Sequence, residues 1–402
     1  MEPRLELRRD LPLDLTEVGE DAALLGRIRV AIRTTGPMSF ARFMDLALYD
    51  PDGGYYRAEH ARPGRAGDFI TAPELHPIFG ATLAQGVTEV WNLLGRPDPF
   101  VVREHGAGEG ALATALLDAL RDTPIWPSLR YVPVEVDTRR LSVLAERLAD
   151  VGLAAVLRLD DDDPTPSDGL VLANEVLDAL PVHRVRQRDG TLRELAVTVG
   201  DDDALHEIEI EPTTPALADR LAGEGIALVE GQTAEICLAL EDWIAAAARP
   251  LARGVVLLID YGAPAADLYD PIRRRDGTLR AYLRHQVHAD PYRHVGRQDL
   301  SAHVDVTAVE RAAHAAGLTT VGITTQAEAL MGLGIEARLQ AIQADPATTM
   351  EAWREGRSAL MRLLDPAAMG RFRVLAFGRG WPEDGPAPLG LFRVRLPERP
   401  PR

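Results

Sequence analysis

The sequence predicts an α/β fold in which a Rossmann-like, mostly parallel sheet follows an N-terminal helical region and contains an antiparallel insertion. Three patterns support this prediction. Over residues 20–49 apolar residues recur at helical spacing. From residue 98 short apolar runs alternate with amphipathic segments, which is typical of parallel strands joined by helices. Over residues 182–231 this alternation gives way to strand-like runs around a hairpin turn.

Residues 1–97 form the predicted helical region. Gly36 and Pro37 divide two helices, and Ser39 is a suitable N-cap for the second. Farther along, Thr71 and Glu74 have the three-residue spacing of a capping box, in which each side chain binds the backbone at the other's position. A short helix is therefore expected to begin at Thr71.

Residues 98–181 form the first half of the predicted core. The runs PFVVREH, RYVPVEVD and GLVLANE are expected strands, and ALATALLDALRD and TRRLSVLAERLAD are the helices between them. Residues 182–231 form the insertion, since strand-like runs flank Asp189-Gly190, a dipeptide typical of two-residue hairpin turns. The run HEIEIEP is its third expected strand.

Residues 232–402 complete the predicted core. We expect a helix over 232–248, a buried strand at GVVLLIDYG, a helix at DVTAVERAAHAAG, and closing strands at TTVGITTQ and RFRVLAFGRG. Cys237 is the only cysteine and is predicted to be a buried helix residue. A single cysteine excludes a disulfide framework and a cysteine metal site, and we predict no metal.

Composition excludes several functions. The chain carries 61 acidic and 44 basic side chains, and its net charge of −17 opposes broad contact with nucleic acid or anionic lipid. Lysine is absent, which excludes Schiff-base chemistry and the phosphate-loop lysine. No apolar run approaches the ~20 residues of a membrane span, and the first residues lack a signal-peptide pattern. We therefore expect a cytoplasmic protein.

A glycine-rich turn follows the first core strand. Glu104 ends the strand, and Gly106, Gly108 and Gly110 lead into the next helix. Glycine permits a tight turn and a close approach of the backbone to a ligand, and the free N–H groups at a helix start favour a carboxylate. Glu135 ends the following strand, where dinucleotide-binding folds place an acid that binds ribose hydroxyls. These features indicate a nucleotide-like cofactor and alone also fit NAD.

Glu104 favours one cofactor over the other. S-adenosylmethionine is cationic and offers this carboxylate an ammonium partner, whereas the pyrophosphate of NAD does not. His105, inside the turn, is interpreted as a packing or solvent-contact residue rather than a general base. The sequence thus favours S-adenosylmethionine.

Seven segments resemble the MidA (mitochondrial dysfunction protein A) family of class I methyltransferases. They occur in the family's order between residues 36 and 334. Besides the glycine turn, they are GPMSFARFMDLALYDPDGGYY (36–56), GDFITAPELHPIFG (67–80), ANEVLDALPVHR (173–184), LLIDYG (257–262), DGTLRAYLRHQVHADPYRHVGRQDLSAHVDV (276–306) and TTQAEALMGLG (324–334). Such a colinear set is more specific than any single glycine motif and sets NAD aside.

This resemblance implies a class I methyltransferase fold and S-adenosylmethionine as the cofactor. It further implies dimethylation of an arginine on a subunit of respiratory complex I. It also implies that the segment containing Asp68, Thr71 and Glu74 covers the cofactor. The chain departs from the family at Glu109, where arginine is usual, and at His105, where leucine is usual. The change at Glu109 alters the local charge by two units and puts the arginine substrate in doubt more than the cofactor.

Glu175 and Asp178 are the main catalytic candidates. They follow the strand GLVLAN at the edge where open parallel sheets bind ligands, and a helical turn would place both acids on one face. A guanidinium target needs carboxylates to hold it and to accept a proton. Alternatively, Glu175 packs against the cofactor and Asp178 bonds locally. Asn174 is assigned to the cofactor, although it could also bind substrate or backbone.

Three further positions complete the predicted site. His303, next to Asp305 in the motif SAHVDV, is a candidate base, or else part of a local polar pair. Asp260 ends the strand LLID on the expected substrate side. Asp160 is assigned to the adenine amine, although runs of acids are usually solvated.

The leading functional hypothesis is therefore arginine methylation of a protein or peptide. The alternatives are an O- or N-methyltransferase for a small molecule or peptide natural product, and an assembly factor with a vestigial cofactor site. The retained glycines and Glu135 argue against the last. A homodimer is one possible assembly.

Overall fold

The structure is a computed structural model that describes residues 18–57, 70–159, 165–381 and 389–397. In chain order the helices are α1 Ala22–Thr35, α2 Phe40–Tyr49, α3 Ala72–Leu75, α4 Ile78–Leu93, α5 Ala111–Leu120, α6 Thr138–Asp150, α7 Ala216–Gly223, α8 Leu240–Ala248, α9 Ala265–Leu268, α10 Val306–Ala315, α11 Gln326–Gly332, α12 Ile335–Ala344 and α13 Met350–Leu364.

The strands, again in chain order, are β1 Met38–Ser39, β2 Phe100–His105, β3 Leu129–Val134, β4 Ser167–Asn174, β5 His183–Arg188, β6 Thr191–Val199, β7 Leu205–Ile210, β8 Thr233–Ile236, β9 Leu251–Asp260, β10 Gly262–Ala263, β11 Arg280–Leu283, β12 Gln286–His288, β13 Asp299–Ser301, β14 Val304–Asp305, β15 Thr319–Thr325 and β16 Arg373–Arg379. No described helix is long and apolar enough to cross a bilayer.

The N-terminal helices form as predicted. In α1 the buried residues Leu24, Ile28 and Ile32 recur at helical spacing and give it one apolar face. Ser39 caps α2 by accepting a hydrogen bond from the backbone N–H of Arg42 at 3.2 Å. A residue far along the chain holds the segment that precedes α1. His294 Nδ1 and the carbonyl oxygen of Gly19 are hydrogen-bonded at 2.8 Å.

A six-stranded sheet forms the core, in the order β15-β16-β9-β4-β2-β3. Strands β9, β4, β2 and β3 are parallel, whereas β16 is antiparallel to both β9 and β15. The carboxyl ends of the four parallel strands therefore meet at one edge, where open α/β sheets bind their ligands. The strands predicted for this core are confirmed, including both closing strands, and so are its predicted helices except the one over residues 232–248.

The antiparallel insertion is also confirmed and is larger than predicted. Asp189 and Gly190 both have positive φ, 50° and 74°, as the two-residue turn between β5 and β6 requires. The sheet runs β1-β6-β5-β8, and β7 pairs with β6. Strands from outside residues 182–231 thus join it, β1 from the N-terminal region and β8 from the second half of the chain.

The helix predicted over residues 232–248 is wrong in its first part. Residues Thr233–Ile236 form β8, which pairs with β5 and is buried at all four positions. A short, fully buried strand has no alternation of polar and apolar residues that would distinguish it from helix. Cys237 accordingly lies between β8 and α8 rather than within a helix, and burial raises the pKa of its thiol to about 12.

A second antiparallel sheet was not predicted. Strand β11 pairs with β12 and with β13, so the segment between residues 276 and 306 builds a three-stranded unit. Its loops contact the N-terminal region, where the backbone N–H of Asp21 donates to the carbonyl oxygen of Val295 at 2.9 Å. The core thereby has an added layer on the side of the candidate substrate residues.

Candidate active site

The glycine turn between β2 and α5 has the backbone conformation that the sequence predicts. Gly106, Gly108 and Gly110 have φ values of 67°, 52° and 82°, a region that side-chain-bearing residues rarely adopt. A Cβ at Gly106 would lie 2.7 Å from Val176, and one at Gly110 would lie 2.9 Å from Leu144. At Gly108 an added Cβ would meet no atom within 4 Å. Two glycines therefore serve packing, and Gly108 faces open space.

That open space is a cavity of about 810 Å³ at the carboxyl edge of the sheet. The glycine turn lines it on one side, and residues from the N-terminal region line it on the other. Its lining includes Tyr49, Tyr56, Thr71, Pro73, Glu74, Glu104, His105, Gly106, Gly108, Glu109, Glu135, Arg140, Arg147, Asn174, Glu175, Val176 and Trp243.

Glu135 holds the glycine turn in place. Its Oε2 accepts a hydrogen bond from the Gly108 N–H at 2.8 Å, and its Oε1 accepts one from the Val136 N–H at 2.8 Å. The carboxylate lines the cavity beside the turn, at the position where the sequence predicts an acid for ribose hydroxyls.

Glu104 is buried in the same wall. The hydroxyl of Tyr131 donates to its Oε2 at 2.8 Å, and no described cationic side chain forms an ion pair with it. Burial therefore raises the pKa of Glu104 to about 8. A buried carboxylate that lacks a cation suits a cationic ligand.

These residues fit S-adenosylmethionine. The open side of Gly108 admits a ligand against the backbone, Glu135 lies within the lining, and Glu104 offers an uncompensated carboxylate to a cation. Glu109 is exposed at the cavity, where the family has a cation, but Arg140 and Arg147 also line this wall. Arg140 and Arg147 thus supply positive charge near the position at which the family's usual arginine is replaced by Glu109.

Glu175 lies between the end of β4 and the start of α3 in the N-terminal region. It adopts a left-handed conformation with φ 53°, and its Oε1 accepts hydrogen bonds from the Ala72 N–H at 3.1 Å and the Asn174 Nδ2 at 3.0 Å. Burial, with a smaller effect from Asp178, raises its pKa to about 8. The assignment of Asn174 to the cofactor stays a prediction, although the residue does line the cavity.

Asp178 lies behind Glu175 and outside the cavity lining. Its buried carboxylate shares a hydrogen bond with the Tyr261 hydroxyl, and burial raises its pKa to about 6. The structure therefore brings Glu175 and Asp178 into one turn, as predicted, but only Glu175 faces the cavity. The catalytic role of either acid stays a prediction.

Asp260 shapes that turn, a role the sequence did not indicate. Its Oδ2 accepts hydrogen bonds from the backbone N–H groups of Val176, Leu177 and Asp178 at 3.1, 2.9 and 3.3 Å. Burial, followed by the charges of Asp178 and Glu175, raises the pKa of Asp260 well above its ordinary value. The buried carboxylates of Asp178 and Asp260 thus lie together with the half-buried carboxylate of Glu175, and none of the three forms an ion pair with a described cationic side chain.

His303 lies apart from the cavity lining. Its ring contacts that of Tyr261 edge to face, with centroids 5.3 Å apart, and its backbone N–H donates to the Thr278 hydroxyl at 3.1 Å. Burial and the charges of Arg274, Arg371 and Arg280 lower its pKa to about 4. His303 is therefore neutral near pH 7, and its assignment as a base stays a prediction.

The N-terminal segment reaches the cavity. The capping box of α3 is confirmed, since the Thr71 N–H and hydroxyl both donate to Glu74 Oε2, at 3.2 and 3.1 Å. Two other predicted cofactor residues, Asp68 and Asp160, lie outside the described residues.

Aromatic residues form the part of the site that sequence reasoning missed. Tyr49 and Tyr56 stack with ring centroids 5.5 Å apart and line the cavity, as does Trp243, which contacts the ring of His105 at 5.2 Å. Both tyrosines lie in the segment GPMSFARFMDLALYDPDGGYY (36–56), which carries the family resemblance but gave no role to either ring.

Comparison with known proteins places this site in a family. Residues 82–324 match the family described as "Putative S-adenosyl-L-methionine-dependent methyltransferase". The chain is 30% identical over 389 residues to the mitochondrial protein arginine methyltransferase NDUFAF7 homolog of Drosophila melanogaster, covering 89% of this chain and 85% of that protein. It is 27% identical to the human protein arginine methyltransferase NDUFAF7, with 88% and 82% coverage.

A solved structure shares the fold. The crystal structure of a Burkholderia thailandensis protein bound to S-adenosyl-homocysteine superposes with a TM-score of 0.82 and 34% identity. The match covers 92% of this chain and 94% of that one, so nearly the whole architecture is shared.

Proposed function

The chain belongs to the MidA-type, S-adenosylmethionine-dependent methyltransferases, and from this premise we propose that it methylates an arginine side chain of a protein substrate. One observation carries the proposal. Half-buried Glu175 and buried Asp178 and Asp260 lie together at the cavity without a described cationic partner. A guanidinium would supply the missing positive charge. The names of the relatives agree with this substrate class.

The cofactor would be held by the wall that contains the glycine turn. Gly108 leaves room for the ligand against the backbone, Glu135 would accept hydrogen bonds from its hydroxyl groups, and Glu104 would pair with its cationic end. When bound, S-adenosylmethionine supplies an electrophilic methyl group on a sulfonium. Methyl transfer requires mainly that the protein align the nucleophile and exclude water.

Glu175 orients the target and accepts its proton. A guanidinium has a pKa of roughly 12.5 to 13.8, so a carboxylate must hold its nitrogen in line and take a proton as the new bond forms. Glu175 faces the cavity, and its raised pKa of about 8 makes its ionised form, which a bound guanidinium would favour, a stronger base than an ordinary carboxylate. Asp178 and Asp260 lie behind Glu175. Asp178 acts on Glu175 through its charge, and Asp260 shapes the turn that positions Glu175.

The identity of the substrate rests on the family. A subunit of respiratory complex I is the protein substrate that the MidA resemblance suggests, and we propose it as the first one to test. We also propose that the reaction takes place in the cytoplasm. A homodimer stays a prediction.

Labelled S-adenosylmethionine tests this function. The protein is incubated with cell lysate divided into protein and small-molecule fractions, and Gly108→Val serves as the control without a cofactor site. Label in protein, recovered as methylarginine after hydrolysis, is the expected result. Label in the small-molecule fraction supports the natural-product alternative. Cofactor binding without label in either fraction supports an assembly factor.

A further inference from the structure

Three arginines converge beside His303. Arg280 begins β11 and pairs with Ser301 in β13. Arg371 directly precedes Phe372, whose ring contacts that of Tyr261 with centroids 5.3 Å apart. Arg274 lies on the loop that leads to Thr278, the residue whose hydroxyl accepts the His303 N–H. We call Arg274, Arg280 and Arg371 the arginine cluster.

None of the three members of the arginine cluster forms an ion pair with a carboxylate among the described residues, whereas the adjacent Arg273 pairs with Asp267 and Asp270. Arg280 donates a hydrogen bond to a backbone group, the carbonyl oxygen of Leu279, at 2.6 Å. Partial burial and the charges of Arg371, Arg280 and Arg273 lower the pKa of Arg274, and the smaller opposing effect of Asp270 does not offset them. Such a group of like charges is relieved by an anion.

Its position is on the substrate side of the sheet edge. Glu175 follows β4, and Arg371 precedes β16, which lies beyond β9 in the strand order. Two strand spacings of about 4.8 Å therefore separate the two positions, about 10 Å in all. Tyr261 lies between them, since its hydroxyl bonds Asp178 and its ring contacts His303. The carboxylates proposed to bind the target guanidinium and the arginine cluster therefore lie next to each other along this edge.

We propose that the arginine cluster binds a carboxylate side chain of the protein substrate, about three residues along an extended chain from the arginine that enters the cavity. This inference rests on the proposed function. A protein of net charge −17 repels acidic polypeptides in general, so a local cationic site gives an acidic sequence one favourable register on this surface. Arg274 and Arg280 are half-buried and Arg371 is exposed, so all three can reach a bound chain.

Two synthetic peptides test the proposal. Both carry one arginine, and they differ in having two glutamates or two glutamines centred three residues from it. We expect wild-type protein to methylate the glutamate peptide with a KM lower by about tenfold, the effect of one charge-assisted contact. Arg280→Gln and Arg371→Gln should reduce that preference to less than about threefold. Arg354→Gln, on the exposed face of α13, is the matched control and should retain it.

Binding without turnover separates this inference from the proposed function. Fluorescence anisotropy of the labelled peptides is measured with S-adenosyl-homocysteine present, after thermal melts and cofactor titrations have shown that each variant is folded. A glutamate preference that is lost in Arg280→Gln and Arg371→Gln supports the cluster even if neither peptide is methylated. Equal binding of the two peptides to wild-type protein, or a preference kept in both variants, overturns the inference whatever the activity.

Discussion

Glu175 and Ala72 are 103 residues apart in the chain, yet the carboxylate of one accepts a hydrogen bond from the backbone N–H of the other at 3.1 Å. This bond ties the first residue of α3 to the catalytic edge of the sheet. The same carboxylate faces the cavity, so the residue proposed to hold the substrate also anchors the segment that is predicted to cover the cofactor.

Hydrogen exchange over residues 70–80 should slow when cofactor binds. Thr71, Pro73 and Glu74 line the cavity, so a bound ligand adds contacts to this segment and reduces its local opening. Mass spectrometry with and without S-adenosyl-homocysteine measures the effect, and β7, in the insertion, provides an internal control. Equal exchange in the two states would exclude a covering role.

Substitution of Gly108 by valine should abolish cofactor binding. The added side chain would occupy the space that the backbone leaves open to the ligand, and φ is 52° there. Gly317→Val is the control, because Gly317 also has positive φ, 76°, and open space around it. Calorimetry with S-adenosyl-homocysteine should detect binding only to the control. Normal affinity in a folded Gly108→Val protein would refute the cofactor site.

Glu175→Gln and Asp178→Asn should reduce turnover while cofactor affinity stays close to wild type. Glu175→Gln keeps the shape of the side chain but removes a charge-assisted contact worth roughly 1.5 to 3 kcal/mol, which corresponds to about tenfold to a hundredfold in rate. Asp178 lies outside the cavity lining, so Asp178→Asn removes only a charge behind Glu175 and should have the smaller effect. The exposed Glu351→Gln on α13 serves as the control. Wild-type rates in both site variants would contradict the carboxylate arrangement.

Glu104→Gln should change how stability depends on pH. The folded protein raises the pKa of Glu104 from 4.5 to about 8, so its stabilising contribution is fully present below the unfolded pKa and is lost as pH rises toward 8. The Tm of the variant, relative to wild type, should therefore increase between pH 5 and pH 8, by about 1 °C for each kcal/mol in a chain of 402 residues.

The same substitution should weaken the cofactor site, because glutamine cannot neutralise a cationic ligand. Thermal melts across the pH range, with and without S-adenosylmethionine, measure both effects in one series. A constant Tm difference between variant and wild type across the range would show that Glu104 is not held protonated by burial.

Asp260→Ala should destabilise the protein by about 3 to 5 kcal/mol, since three buried N–H groups of one turn lose their acceptor. Activity should fall as well, because this turn positions Glu175. Asp305→Ala is a matched control, as Asp305 caps α10 through the Ala308 N–H at 3.1 Å. Loss of that cap should cost about 1 kcal/mol. Equal destabilisation in the two variants would contradict the role given to Asp260.

Local signals predicted the parallel core well. Each glycine of the turn has the positive φ that its position demands, and the apolar runs of β2, β4 and β9 are buried strands. The turn at Asp189-Gly190 was predictable for the same reason, because only certain residues tolerate its backbone conformation. These features depend on neighbours in sequence.

Features that depend on distant partners were not predictable in this way. Strand β8 is set by pairing with β5, and the bond between Glu175 and Ala72 needs both segments in place. The sequence predicts that Asp260 ends a buried strand, as it does. Its hydrogen bonds to Val176, Leu177 and Asp178, however, depend on how β4 and β9 pair. The aromatic lining, Tyr49 and Tyr56, depends in the same way on how α2 packs.

The tie between Gly19 and His294 has a consequence for biosynthesis. The two residues are 275 positions apart, so a ribosome that adds roughly 5–20 residues per second needs about 14 to 55 s to make the second after the first. Throughout that interval the start of α1 lacks its final anchor, and the apolar cluster around Leu24 lacks its last members, Val295 and Leu300 among them. Late-synthesised loops thus govern when the earliest part of the chain becomes native.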